Sequence, residues 1–318
     1  MTPMAAPGGT RVPRPVTVVL LVNLIAQAGI IVTGGLVRLT GSGLGCPTWP
    51  ECAPGSLLPT AAQAEGVTKF IEFGNRLLTF AVAAAALATV IVLWRLRPRP
   101  RGLRALSAIP LIGTVGQAVL GGITVLTGLN PLTVMAHLLL SLVLVAVSVV
   151  LLLWVHDPPT APGVGHAHVV RAMAGGLFIA GAVVVTLGAI VTGSGPHAGD
   201  ETAARFGFDI RAVAWLHADS VWLYLGLLIG LLAVLTVTAA PLTVRRTTWL
   251  LLAVSLAQGL VGYVQWFTGL PWLLVAVHLL GAVLVWIGTT AVAYRVLRAF
   301  PARRTTAAAS ASAPAGAR

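Results

Sequence analysis

Polar side chains that could do chemistry lie inside long apolar segments of this sequence. Such groups are expensive in hydrocarbon and tend to mark function when they occur there. Imidazoles can bind a metal ion, and a carboxylate can stabilise charge or move a proton. The candidates in chain order are Glu72, Asn75, Arg76, His137, His217 and His278.

The composition sets the environment of these residues. Of the 318 residues, 57% are hydrophobic and 9% are charged, whereas a soluble domain carries about 25% charged residues. Apolar runs of about 20 residues recur, and continuous runs of that length favour membrane-spanning helices. The sequence therefore predicts an all-α polytopic membrane protein in a lipid bilayer.

The net charge of +12 does not indicate a nucleic-acid partner. The arginines cluster between apolar runs, as in RLRPRPRGLR, and no basic face interleaved with aromatic residues accompanies them. By the positive-inside rule, this distribution predicts that both termini are cytoplasmic. The predicted helices are 16–38, 69–94, 104–126, 132–154, 171–193, 212–236, 247–268 and 272–296.

An internal repeat divides the chain. QAVLGGITVLTGLNPLTVMAHLL and QGLVGYVQWFTGLPWLLVAVHLL align without a gap, and IVTG occurs twice, at 31–34 and 190–193. Two halves of four helices would insert in the same direction, as parallel repeats do. The predicted units are a cytoplasmic N-terminal segment 1–15, a half 16–154, a cytoplasmic linker 155–170, a half 171–296 and a disordered cytoplasmic tail 297–318.

Three histidines stand apart from the others. His137, His217 and His278 lie near the outer ends of the fourth, sixth and eighth predicted helices, whereas His156, His166, His168 and His197 are predicted in loops. One intramembrane histidine is most simply a hydrogen-bonded interhelical residue. Two that are related by the repeat, with a third in the same layer, favour a functional site.

The repeat pairs these positions across the two halves. His278 matches His137 at the offset of 141 residues that aligns the two segments. His217 matches Asn75 at an offset of 142 residues. Two imidazoles facing each other across a four-helix bundle suit the axial positions of a haem iron. Zinc is less favoured, because it takes three or four ligands and no cysteine or carboxylate accompanies this pair.

Glu72 has two interpretations. It lies four residues before Arg76, so a simple ion pair along one helix explains it. It also lies one helical turn before Asn75, in the half that lacks a full histidine pair. That position favours a catalytic carboxylate.

The predicted outer loops carry further candidates. GSGLGCPTWPEC holds both cysteines, Cys46 and Cys52, and an oxidising outer compartment favours a disulfide between them, with a redox-active pair as the alternative. Arg38 could meet an anionic group such as a haem propionate, or could be an interfacial anchor. The backbone of 192–197 could approach a similar group.

Together these motifs resemble the haem A synthase family. The resemblance rests on GGLVRLTGSGLGCPTWPEC, the segment from Glu72 to Arg76, the TGSGPHAGDE loop and the histidine-bearing helix ends, and it covers nearly the whole ordered chain. It implies an oxidoreductase that oxidises the C8 methyl group of haem O to the formyl group of haem A by successive hydroxylations.

The resemblance also implies roles for residues and partners. His217 and His278 would hold haem b, and Glu72 would be the essential carboxylate beside the substrate haem. The product would serve a terminal oxidase, which implies haem O synthase and oxidase assembly factors as partners, and a homo-oligomer stays open. Many family members have histidine where this chain has Asn75, so we expect His137 to hold the substrate iron, with Asn75, Arg38 and Arg76 as further haem contacts.

Two other functions fit part of the pattern. A haem b electron-transfer subunit would use the histidine pair but would leave Glu72 and the cysteine loop unexplained. A two-repeat transporter would fit the parallel halves. Its usual marker is a broken helix near the midplane, whereas the polar residues of this sequence cluster at the outer ends of the predicted helices.

Overall fold

Eight helices make up the fold, and the computed structural model describes residues 12–96, 101–157 and 167–301. Each helix is long and apolar enough to cross a membrane, which confirms the predicted all-α polytopic architecture. The helices are α1 (Arg14–Leu39), α2 (Thr68–Arg95), α3 (Arg101–Leu126), α4 (Pro131–His156), α5 (Ala167–Ser194), α6 (Ile210–Val237), α7 (Leu242–Phe267) and α8 (Trp272–Ala299).

Several helices extend beyond the predicted apolar runs. α5 begins four residues earlier than predicted and α7 five residues earlier, while α8 continues to Ala299. An apolar run marks only the part of a helix that lies in hydrocarbon, and long arginine side chains allow the helix to continue into the polar interface. The predicted terminal segments lie mostly outside the described residues.

This extension corrects the prediction for two histidines. His156 is the last residue of α4 and His168 lies in the first turn of α5, so neither is a loop residue. The Nε2 atom of His156 lies 2.8 Å from the hydroxyl oxygen of Thr17, which ties α4 to α1. His166 lies outside the described residues.

The helices form two rings of four. In each half, every helix packs against its neighbours in the chain, and the fourth helix packs against the first. As a result, α2 lies diagonally opposite α4, and α6 lies diagonally opposite α8. Residues on these diagonal helices can face each other across the interior of a bundle.

Four helices, α1, α4, α5 and α8, form the interface between the two halves. α4 packs against α8, and the contact of α1 with α8 is mirrored by that of α5 with α4. The indole N–H of Trp286 donates to the carbonyl oxygen of Leu142 at 2.8 Å, and its ring lies 5.0 Å from that of Phe178. Gly35 allows the close approach of α1 to α8, because a side-chain carbon there would lie 2.0 Å from Leu279.

Candidate functional site

The histidine pair of the second half lies on diagonal helices. His217 is on α6 and His278 is on α8, both partly buried. The Nδ1 atom of His217 is 3.1 Å from the carbonyl oxygen of Val184. An Nδ1–H that donates to this carbonyl leaves the Nε2 lone pair for a metal ion, which is the usual arrangement of a metal-binding histidine.

A glycine on the preceding helix lies against each of the three histidine rings. A methyl group added to Gly188 would lie 3.3 Å from Cε1 of His217, and one added to Gly262 would lie 3.1 Å from Cε1 of His278. Gly121 has the same relation to His137, also at 3.3 Å. These glycines make room for the imidazoles. Gly121 and Gly262 match in the aligned repeat, and this space for the rings explains the match.

A glutamine also supports each histidine of α4 and α8. The side-chain amide of Gln117 donates to the carbonyl oxygen of His137 at 2.9 Å, and that of Gln258 donates to the carbonyl oxygen of His278 at 2.7 Å. The repeated glutamines therefore fix two repeat-related helix pairs in the same way. Their match in the sequence is explained by this support of the histidine backbone.

Asn75 occupies the place of a histidine in the first half. It lies on α2, diagonal to His137 on α4, and its side-chain oxygen accepts a hydrogen bond from the hydroxyl group of Thr33 at 2.8 Å. Thr33 was not predicted to be part of the site. Its position in the repeated IVTG segment was the available signal.

The ring nitrogens of this layer can be tested for fit to a haem. Among the described residues, the buried Nδ1 atoms of His137 and His278 have no hydrogen-bond partner. No group of three or more histidine, cysteine or acidic residues that could hold a metal ion occurs in the described ranges. Since a porphyrin supplies four of the six iron ligands, paired imidazoles suffice for haem, and the second half fits it.

Glu72 forms an ion pair with Arg76. This pair is the simpler of the two interpretations that the sequence allows for Glu72. The residue is 5% exposed, and its Oε1 atom lies 2.6 Å from Nη2 of Arg76. Its Oε2 atom accepts a hydrogen bond from the backbone N–H of Cys46 at 2.7 Å. Both carboxylate oxygens therefore have donors, and one donor comes from the cysteine loop.

Arg76 holds the same loop from its other side. Its guanidinium donates to the carbonyl oxygens of Cys46, Thr48 and Glu51 at 2.7–3.1 Å. We predicted a haem contact for Arg76, and the structure places its guanidinium between Glu72 and these carbonyls. The ion pair thus positions the loop over the outer end of α2.

The cysteine loop is a closed unit packed on the first bundle. Cys46 and Cys52 form a disulfide, and neither is exposed to solvent. The ring of Trp49 lies so close to Gly122 that a side-chain carbon there would be 2.5 Å from it. The loop therefore spans from α2 to α3, next to the glycine that lies against His137.

Arg38 connects the two halves. Its Nε atom donates to the carbonyl oxygen of His197 at 2.5 Å, and Nη2 donates to that of Thr192 at 2.7 Å. Gly43 donates to the carbonyl oxygen of Gly199 at 2.8 Å, so the two outer loops also touch directly. Two carbonyl oxygens occupy part of the Arg38 guanidinium, and its contact with a haem propionate stays a prediction.

A column of buried polar residues in the first half was not found from the sequence. Asn23 on α1 donates to Ser148 on α4 at 3.0 Å, and Gln27 on α1 donates to Thr114 on α3 at 3.3 Å. The signal was present, because polar residues spaced four apart interrupt the apolar run of α1. These bonds set the register of α1 against its neighbours.

The chain matches the sequence profile of a known protein family. The sequence profile of the family described as cytochrome oxidase assembly protein matches residues 17–202, more than half of the chain. The matched range contains the cysteine loop, Glu72, Asn75 and His137.

Individual relatives match shorter stretches. The heme A synthase of Lysinibacillus sphaericus is 34% identical over 115 residues, covering 36% of each chain. That of Bacillus licheniformis is 30% identical over 138 residues, covering 43% of this chain and 44% of the relative. That of Alkalihalophilus pseudofirmus is 31% identical over 133 residues, covering 41% and 43%. The chain thus matches less than half the length of these curated relatives.

Proposed function

This chain belongs to the cytochrome oxidase assembly protein family, and from that membership we propose that it is a haem A synthase. It would oxidise the C8 methyl group of haem O by two successive hydroxylations, and the geminal diol so formed would lose water to give the formyl group of haem A. The observation that carries the proposal is the layer of repeat-related histidines, with a buried carboxylate in the half where the histidine pair is incomplete. The relatives named heme A synthase support the same reaction.

We assign haem b to the second half. His217 and His278 would hold its iron, and when bound the haem would supply one-electron redox chemistry. The residues of the chain orient it: Val184 fixes the tautomer of His217, and Gln258 fixes the backbone that carries His278. Gly188 and Gly262 leave space for the two rings.

We assign the substrate haem O to the first half, with His137 as its iron ligand. Glu72 would act at the methyl group, either by stabilising positive charge that develops at the carbon or by accepting a proton. The hydrogen bonds from Cys46 and Arg76 hold the carboxylate in one place for this role. The disulfide loop would then keep the reacting edge of the substrate away from bulk water.

The proposal includes an orientation and partners. The arginine distribution favours cytoplasmic termini, so the disulfide loop and the histidine layer would lie towards the outer face. Haem O would come from haem O synthase, and haem A would pass to assembly factors of a terminal oxidase. Homo-oligomerisation is compatible with this scheme.

Electron transfer through haem b alone is the other function that uses His217 and His278. It gives no role to Glu72, which is 5% exposed within a membrane helix. Extraction of haem from the purified protein separates the two functions. A synthase carries haem O or haem A besides haem b, whereas an electron carrier holds haem b alone.

The direct test is conversion of haem O by a Glu72→Gln variant. The amide keeps the shape of the side chain but removes its charge, so we expect conversion to haem A to be lost while haem b binding is retained. Glu201→Gln, in an exposed loop, is the matched control. Normal conversion by Glu72→Gln would contradict the catalytic assignment.

A further inference from the structure

The two halves differ in the space opposite their α4 and α8 histidines. The alignment that matches the two IVTG segments also matches Gly29 on α1 to Gly188 on α5. A methyl group on Gly188 would meet the ring of His217 at 3.3 Å, whereas one on Gly29 would have no atom within 4 Å. The room that an imidazole fills in the second half is therefore open in the first.

Asn75 does not fill that room. Its side chain turns towards the next turn of α1, where Oδ1 accepts the hydrogen bond from Thr33 and Nδ2 lies 3.8 Å from the position of a side-chain carbon on Gly34. Within the described part of the chain, Nδ2 has no hydrogen-bond acceptor. The amide is thus fixed by its oxygen, and its N–H groups are available.

We infer that Asn75 and Gly29 form a binding site for a small ligand of the substrate iron, such as water or a diatomic molecule. This inference rests on the proposed function. A neutral amide is a poor iron ligand compared with imidazole, so an iron held by His137 keeps one axial position open. Hydrogen-bond donors beside an open position decide which small ligand a haem iron binds, and the N–H groups of Asn75 are such donors.

The site differs from that of haem b in the same molecule. His217 and His278 would together hold the haem b iron, so an added ligand would have no place to bind there. One chain should then hold one haem that reacts with a small ligand and one that does not. That ratio can be measured without following the reaction.

Carbon monoxide is the probe for the open position. The full-length protein is purified, loaded to two haems per chain, reduced and exposed to carbon monoxide, and the complex is counted from its absorption spectrum. We expect one carbon monoxide per chain. Asn75→Ala should keep the complex, because the position stays open. Asn75→His should lose it, because an imidazole over Gly29 would take the position and give a second low-spin haem.

A second variant tests the space by itself. Gly29→Val leaves Asn75 and His137 in place but fills the opening, so we expect loss of the carbon monoxide complex. The matched control is Gly226→Val, at an exposed position of α6 where an added carbon would also meet nothing within 4 Å. This variant should keep the carbon monoxide complex.

The outcomes separate this inference from the proposed function. A wild-type protein that converts haem O but forms no carbon monoxide complex at two haems per chain overturns the inference alone. A protein that takes up only one haem and converts no haem O overturns both. Retention of the complex by Asn75→His would also overturn the inference, since the amide would then not be what leaves the position open.

Discussion

At the scale of single residues, the ion pair of Glu72 and Arg76 has two tasks. It neutralises a carboxylate inside a membrane helix, and it holds the cysteine loop through one backbone N–H and three carbonyl oxygens. The two interpretations offered by the sequence are therefore compatible. A carboxylate can be held by an arginine and still face a reacting group.

Arg76→Gln tests the structural task. The substitution leaves Glu72 buried without its cation and removes donors from the loop carbonyls, and breaking a buried ion pair in this way costs about 3–5 kcal/mol. We expect a lower unfolding temperature in detergent and faster proteolysis within residues 44–52. Arg211→Gln, at an exposed position of α6, is the control and should leave both unchanged. An unaltered cleavage rate in Arg76→Gln would show that the loop is held by other contacts.

At the scale of helices, the glycines beside the histidines determine where the rings can lie. Gly188 belongs to α5 but serves His217 on α6, so the site depends on the packing of two helices and not on the histidine alone. The same relation holds between α7 and α8 through Gly262. Two packed helices are therefore needed to position one histidine ligand.

Gly188→Val tests this dependence. The added side chain would occupy the space of the His217 ring and push Nε2 away from the bundle interior, so we expect haem b content to fall and its reduced spectrum to change. Gly175→Val is the control on the same helix, at an exposed position with no atom within 4 Å of an added carbon. Full haem b content with an unchanged spectrum in Gly188→Val would contradict the role of this glycine.

The helices and the histidine layer could be predicted from the sequence because both depend on periodic signals. Apolar runs fix which segments cross the membrane, and the repeat fixes the equal depth of His137 and His278. The carbonyl partners of Arg38 and Arg76 could not be predicted, because every residue type carries the same backbone carbonyl group. Several predicted helix ends differ from the observed ones, because hydropathy marks the part of a helix in hydrocarbon and not the turns that continue beyond it.

At the scale of the whole molecule, the interface between halves combines a buried tryptophan with a bridge between the outer loops. Trp286 is 5% exposed and reaches from α8 to the backbone of α4. Arg38 and Gly43 connect the outer ends of the halves. The two haem sites proposed here would thus be held at a fixed separation.

Trp286→Phe tests the interface. The substitution removes the side-chain hydrogen bond to the carbonyl oxygen of Leu142, which still accepts within α4. A hydrogen bond of this kind contributes about 0.5–1.5 kcal/mol, and the smaller ring also loses packing between the halves. We expect a lower unfolding temperature of the whole chain, with one transition becoming two if the halves uncouple. Trp249→Phe, with a tryptophan that is 55% exposed, provides the comparison and should have no effect. Equal unfolding temperatures for the two variants would contradict the importance of this contact.

The pattern of contacts between the halves also bears on their ancestry. α4 meets its own counterpart α8, and α1 meets α8 as α5 meets α4. A symmetric dimer of identical four-helix chains would make these same contacts, so duplication and fusion of one gene would reproduce this fold without a new interface. In the ancestral dimer any substitution would have changed both subunits. After fusion each copy could diverge alone, and such divergence would account for Asn75 at the position equivalent to His217.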